Sequence, residues 1–213
     1  MGIKFYYGSG SPFSWNVRLV LEHKQLPYEL NWLSVKDGDL KTSEYLAINP
    51  HGNVPALVDD GFVLWETLPI IEYLEERYPE HPVLPSALKN RAIARRTAAE
   101  AYSYLYPVLR RLLEQTLFRE DGGGDPTMIA TGIHAVGREL AYFEEILQGE
   151  YYAGSLSVAD FSLYPLLALV QRFHMKQPQH GTEALITPRL AAFMLRIEQL
   201  PYFHKTIPPH WKG

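Results

Sequence analysis

Ile3, Phe5 and Tyr7 alternate with Gly2, Lys4 and Tyr6, the period-two signature of a strand. After Phe13 the apolar positions shift to Val17, Val20 and Leu21, the spacing of one helical face. Alternation returns at Tyr28, Leu30 and Trp32 and predicts a second strand. Residues 43–48 read as a short helix ended by Asn49-Pro50, because the residue before a proline is driven out of the helical region. Val54-Pro55-Ala56-Leu57-Val58, then Asp59-Asp60-Gly61, then Phe62-Val63-Leu64-Trp65 form a hairpin pattern. Thr67 is expected to cap a further helix with Ile70, Ile71 and Leu74 on one side. The order β-α-β-α-β-β-α makes residues 1–78 an α/β domain whose leading βαβ unit should be a parallel, right-handed crossover.

Pro79, Pro82 and Pro85 stiffen residues 79–86, which read as a linker between domains. Residues 87–213 are expected to be all-helical, with helices over 87–118, 126–147, 157–173 and 188–200. The run Asp121-Gly122-Gly123-Gly124-Asp125 lacks the Gly-Lys-Ser/Thr ending of a phosphate loop and follows no strand, so it reads as a hinge. The tail, with Pro208-Pro209 and Trp211, is expected to pack irregularly over the helical part.

Of the 213 residues 46% are hydrophobic and 21% charged, which gives a soluble chain ample material for a core. A net charge of −4 argues against nucleic acid as a partner. No apolar run approaches the roughly 18 residues that span a bilayer, and the N-terminal segment carries only Lys4 as a cation at a short strand-like stretch, unlike a secretory leader. Cysteine is absent, which removes disulfides, thiol nucleophiles and thiolate metal sites and fits a reducing compartment. The histidines lack metal-site spacing, so a cytoplasmic protein without a metal is expected.

Four short signals bear on chemistry. Ser11-Pro12 places a hydroxyl at the start of the first helix, where it caps a backbone N–H and where the helix end also favours an anion. Val54-Pro55 marks a rigid turn or a cis bond; with a cis bond, the Val54 backbone would be left to pair with an extended peptide. At Glu66-Thr67 a hydroxyl and N–H groups at a helix start suit a carboxylate, and the Glu66 carboxylate suits an ammonium group; a simple cap is the other reading. Ser157-Val158-Ala159-Asp160 reads as a structural capping box with Asp in place of Glu, flanked by Leu156 and Phe161 as a hydrophobic staple.

Together these segments resemble the glutathione S-transferase family over essentially the whole chain. The motifs that carry the resemblance are Ser11-Pro12-Phe13 with Val17-Arg18, Asn49-Pro50-x-Gly52-x-Val54-Pro55-Ala56-Leu57, Glu66-Thr67 and Leu156-Ser157-x-Ala159-Asp160. The resemblance is to serine-type classes, nearest to tau-, zeta- and theta-like members. It implies a thioredoxin-like α/β N-terminal domain, an all-α C-terminal domain, and a homodimer that conjugates glutathione to a small hydrophobic electrophile.

By the same resemblance Ser11 would donate its O–H to the glutathione sulfur, with Tyr7 as the alternative donor and Ser9 and Ser14 nearby. Val54, beside a cis-Pro55, would pair with the cysteinyl part of glutathione, while Glu66 and Thr67 would hold its γ-glutamyl end. Asn53 stands where members often carry Lys or Gln and Leu40 where they carry His, which leaves Lys41 as a cation for the glycine carboxylate. The electrophile would rest between the domains against Phe13, Tyr102 and Tyr106. Zeta-type isomerases begin Ser-Ser-Cys, and Phe13 stands in place of that cysteine. Two other readings are a glutathione peroxidase or isomerase, and a non-catalytic ligand-binding or scaffold protein.

Overall fold

Residues 3 to 7 bury every second side chain, and this strand, β1 (Ile3–Tyr7), lies inside a four-stranded sheet. The computed structural model of the chain describes residues 2–119 and 123–211. β2 (Tyr28–Trp32) runs parallel to β1 after helix α1 (Pro12–His23), which is the expected βαβ unit. A short α2 (Ser43–Leu46) precedes β3 (Ala56–Asp59) and β4 (Phe62–Trp65), an antiparallel hairpin with β3 against β1. Asp60 and Gly61 both take positive φ, 47° and 91°, as a two-residue hairpin turn requires. α3 (Thr67–Arg77) closes this α/β part, and the sheet order β2-β1-β3-β4 is the thioredoxin-like arrangement.

The chain divides into two units whose boundaries differ from those expected. Met1–Leu84 and Leu200–Gly213 make one, and Pro85–Gln199 the other. Most of the expected linker therefore belongs to the first unit. The reason is Lys24, whose fully buried ammonium lies 2.7 Å from Glu75 Oε2 and donates to the carbonyls of Tyr78 and Glu80 at 2.8 and 3.2 Å. The Glu75 carboxylate in turn accepts from Val83 N–H and Leu84 N–H, each at 3.0 Å. A proline-rich stretch that reads as a spacer is thus wrapped around a buried ion pair.

The tail is likewise corrected: it joins the α/β unit, not the helical one. Trp15 of α1 donates its indole N–H to Thr206 Oγ1 at 2.9 Å, and α9 (Phe203–Thr206) packs on α1. At the other end of α1, His23 Nδ1 and Tyr202 Oη are 2.8 Å apart, and burial together with the neighbouring His81 holds the His23 pKa below its ordinary value.

In the second unit the helix expected over 87–118 is α4 (Leu88–Glu100), one wide turn at Ala101–Leu105, and α5 (Tyr106–Glu114). Pro107 explains the wide turn, since it has no N–H to donate and its ring excludes the carbonyl four residues back. α6 (Pro126–Ile146) is capped by Asp125, and Asp121-Gly122 of the expected hinge lie outside the described residues. α7 (Val158–Lys176) is buried along most of its length and centres this unit, which α8 (Pro188–Glu198) completes. No helix among the described residues is long and apolar enough to cross a membrane.

The capping box at the start of α7 is present. Asp160 is fully buried and accepts from Ser157 N–H and Oγ–H at 2.8 and 2.9 Å and from Tyr152 N–H at 3.0 Å. Burial pushes its pKa up to about 7, against the pull of those three hydrogen bonds.

Asp160→Ala would strand two buried N–H groups, so we expect a loss of about 2–4 kcal/mol in urea denaturation, above a simple cap loss. An unchanged midpoint would contradict the role. Lys24→Met should cost about 3–5 kcal/mol in the same measurement, because it leaves the Glu75 charge buried without its cation.

Candidate active site

The starts of α1 and α3 come together although they are far apart in sequence. Ser11 is the N-cap of α1, with extended backbone (φ −68°, ψ 120°), and its Oγ accepts from Ser14 N–H at 3.3 Å. Because that oxygen acts as an acceptor, its own proton is left for another partner. Pro12 occupies the first helical position, as expected. Just upstream, Ser11 N–H closes a tight turn onto Gly8 C=O at 3.1 Å.

At α3 the expectation for Thr67 needs correcting. Glu66 holds the cap position with φ +73° and makes no side-chain cap, and Thr67 is the first helical residue. The positive φ at exposed Glu66 turns the chain sharply out of β4, so the helix begins directly after it. Thr67 is buried and its Oγ1 donates to Phe13 C=O at 3.4 Å, which ties the two helix starts together.

Val54 joins them around Gly8. A Cβ at Gly8 would lie 3.1 Å from Val54 Cγ2 and 3.9 Å from Ser11 Cβ, so the missing side chain is what lets Val54 approach Ser11. The Val54-Pro55 bond is cis. Among the described residues, neither backbone group of Val54 has a hydrogen-bond partner.

Two residues hold this segment in place: Asn49, read from the sequence as a helix stop and a motif residue without a holding role, and Tyr45, which the sequence did not single out. Asn49, fully buried, donates to Asn53 C=O and Asn53 Oδ1, both at 2.8 Å, and its own oxygen accepts from His51 N–H at 3.1 Å. Buried Tyr45 donates to the same Asn53 carbonyl at 2.5 Å, and burial pushes its pKa up to about 12. The available signal was Asn49 before Pro50, since an Asn side chain bonding the backbone two residues on is common turn chemistry. Asn53 is exposed, and its side-chain Oδ1 accepts from Asn49, which orients the amide on the loop. Gly52, at φ +59°, abuts Leu40 C=O, and a Cβ there would sit 2.9 Å from that oxygen. The turn Asp39–Lys41 therefore rests on this loop and brings Lys41 beside it.

Tyr7 is placed differently from Ser11. Its ring is buried, stacked on Phe5 with centroids 6.0 Å apart, and the Arg18 guanidinium lies over it at 5.7 Å. Phe13 is half-buried in the α/β unit. Tyr102 and Tyr106 belong to the helical unit, one on the wide turn and one opening α5, and Tyr106 Oη accepts from Arg110 at 3.2 Å. The structure thus gathers Ser11, Phe13, Val54, Glu66 and Thr67, with Asn53 and Lys41 on the adjoining loops.

Residues 10–77 match the family described as "Glutathione S-transferase, N-terminal domain", and residues 133–205 match "Glutathione S-transferase, C-terminal domain". The chain belongs to the glutathione S-transferase family. It is 32% identical over 206 residues to a protein of Euphorbia esula named glutathione S-transferase zeta class, covering 97% of this chain and 90% of that one. It is 37% identical over 178 residues to a maleylacetoacetate isomerase of Pseudomonas aeruginosa, covering 81% of this chain and 82% of the relative. Among solved structures, a glutathione transferase from Phanerochaete chrysosporium in complex with oxidized glutathione superposes with a TM-score of 0.82. That pair is 25% identical, over 96% of this chain and 94% of the other. Family membership bears out the expected pairing of a thioredoxin-like domain with an all-helical one.

Removing the Asn49 side chain takes three hydrogen bonds from a buried position. Asn49→Ala should lower stability by about 2 kcal/mol or more and speed amide exchange across residues 51–54. Exchange no faster than in the parent protein would show that Asn49 does not hold the loop.

Proposed function

We propose that this protein binds glutathione along the Val54 and Glu66-Thr67 segments and stabilises its thiolate with the Ser11 hydroxyl, for attack on a small electrophilic carbon. The observation that carries the reading is the convergence of a hydroxyl with a proton to donate, a helix start, and an unpaired backbone segment around Gly8. An extended peptide pairs with backbone of that kind, as an added strand does. Glu66 offers a carboxylate to the ligand's ammonium group, and the start of α3 offers N–H groups to its α-carboxylate. Lys41 and the Asn53 amide stand where the glycine end would lie.

A free thiol has a pKa of about 8.5, so little of it is ionised at neutral pH. Lowering that value by two units takes about 2.7 kcal/mol, which one charge-assisted hydrogen bond and a helix N-terminus together supply. Ser11 is favoured over Tyr7 because the tyrosine ring is committed to the core between Phe5 and Arg18. Tyr102, Tyr106 and Phe13 are the candidate contacts for the electrophile, and a homodimer in a reducing, cytoplasmic setting suits a cysteine-free enzyme that borrows its thiol.

A second reading is favoured by the similarity to the maleylacetoacetate isomerase. Addition of a thiolate to a conjugated double bond leaves a single bond that rotates. Retention of the sulfur gives conjugation, and its expulsion gives isomerisation, so both activities need the same site. Phe13, at the position where zeta-type isomerases carry cysteine, favours conjugation.

Ser11→Ala should lower kcat/KM toward a chromogenic electrophile by about 10- to 100-fold and return the bound thiol toward its free pKa, while Tyr7→Phe leaves both near the parent values. The inverse pattern would make Tyr7 the donor. A conjugated cis-enedione assayed alongside separates isomerisation from conjugation, and no glutathione binding at all would exclude both.

A further inference from the structure

We infer that His210, carried by the C-terminal segment, is a positioning residue for thiol activation, acting through Ser9 on the turn that ends at Ser11. The inference rests on the reading of Ser11 as the residue that meets the sulfur. Ser9 Oγ and His210 Nδ1 are 2.7 Å apart, although 201 positions separate them in sequence. Trp211 Nε1 donates to His210 Nε2 at 2.9 Å. An indole N–H is only a donor, so Nε2 accepts, the ring proton sits on Nδ1, and Nδ1–H donates to Ser9 Oγ. The Ser9 oxygen thereby acts as an acceptor, and its own proton stays available on the same turn as that of Ser11.

The segment that brings the imidazole there is anchored twice on α1. Trp15 donates to Thr206 Oγ1 at 2.9 Å, and the Trp211 ring stands edge-on to Trp15 with centroids 5.2 Å apart. Gly10, at φ +82°, leaves room for the imidazole: a Cβ on it would lie 3.0 Å from His210 Cε1 and 3.1 Å from Nε2.

The physical need is plain from the loop itself. Ser9 is flanked by Gly8 and Gly10, and a glycine-flanked turn carries a large conformational entropy that blurs the position of whatever it supports. Gly8 is required by the approach of Val54 and Gly10 by the ring and the positive φ, so neither is available to stiffen the turn. Hydrogen bonds from the backbone hold the ends of the turn, Ser11 N–H on Gly8 C=O at 3.1 Å and Gly8 N–H on Ser14 Oγ at 3.4 Å. His210 adds a restraint from outside, with a hydrogen bond to Ser9 at its centre and a ring packed against Gly10. The C-terminal residues then set where the Ser11 hydroxyl and the start of α1 stand.

The test is a titration of thiolate absorbance in the glutathione complex, run with kcat and KM, for the parent protein, His210→Phe, His210→Asn, Ser9→Ala and the Ser9→Ala/His210→Phe double variant. His210→Phe and Ser9→Ala should each raise the bound thiol pKa by about half to one unit and lower kcat/KM about three- to ten-fold, with the glutathione KM within roughly two-fold. The double variant should be no worse than either single one, and His210→Asn, which keeps a donor near the Nδ1 position, should recover most of the loss. Amide exchange at Ser11 in the ligand-free protein should quicken in His210→Phe. Should His210→Phe fold poorly, Ser9→Ala carries the test, since it removes a hydroxyl and no packing. A parent complex without thiolate at neutral pH overturns the Ser11 reading and this one with it. A parent thiolate titration left unmoved by both His210→Phe and Ser9→Ala, or additive losses in the double variant, overturns the role of His210 alone.

Discussion

α1 and α3 are pinned side by side at both ends, and the candidate site depends on it. At their starts Thr67 Oγ1 meets Phe13 C=O at 3.4 Å; at their ends the Lys24 ammonium meets Glu75 at 2.7 Å. Contacts start-to-start and end-to-end make the two helices run the same way, so their positive ends open on one spot. A single helix start is an ordinary anchor for one anion. On the function proposed above, two such starts set together, with the Val54 backbone unpaired among the described residues, would receive a ligand that carries a carboxylate, a peptide unit and a thiol. The ion pair at the far end is expensive to bury, and its geometry shows how the cost is offset: every remaining donor and acceptor has a partner in the chain from Tyr78 to Leu84. The proline-rich stretch is thereby tied back onto the first unit before the helical unit begins.

What was readable in the chain was whatever its local pattern controls. β1, α1, β2 and the β3–β4 hairpin follow from the period of their apolar positions, and Ser11 before Pro12 marked a cap because capping chemistry is local. The capping box at Ser157 and Asp160 was legible for the same reason. The helix over 87–118 was legible as a helix but not as an interrupted one, although Pro107 carried the signal.

The errors share a different physical origin. Nothing in Glu66-Thr67 announces that a glutamate will take a positive φ, since the turn out of β4 imposes it and sets Thr67 one place inside the helix. Nothing local marks Lys24 or Glu75 as a buried pair, because the partner of each lies 51 residues away. The tail went to the wrong unit because its docking depends on Trp15 and Thr206, 191 positions apart, and no periodicity reports such a contact. Asn49 lay in plain view before Pro50, but its value depends on burial, which the sequence alone does not give.

A chain without cysteine can do thiol chemistry only with a borrowed thiol, and on the proposed function that shifts the burden of catalysis from a nucleophile to a setting. On the reading proposed here, the protein supplies a hydroxyl proton, the partial charge of a helix start and a fixed approach, and each loses value if the turn before α1 wanders. A hydrogen bond of about 1 kcal/mol is felt in full only when its donor is held in place beforehand. That is why the glycines of this turn matter as much as its serines. Gly8 and Gly10 admit Val54 and the imidazole of His210, and the rigidity that they give up is restored by the groups they admit. On that reading the turn at residues 8–11 and the segment at residues 206–211 order the site together.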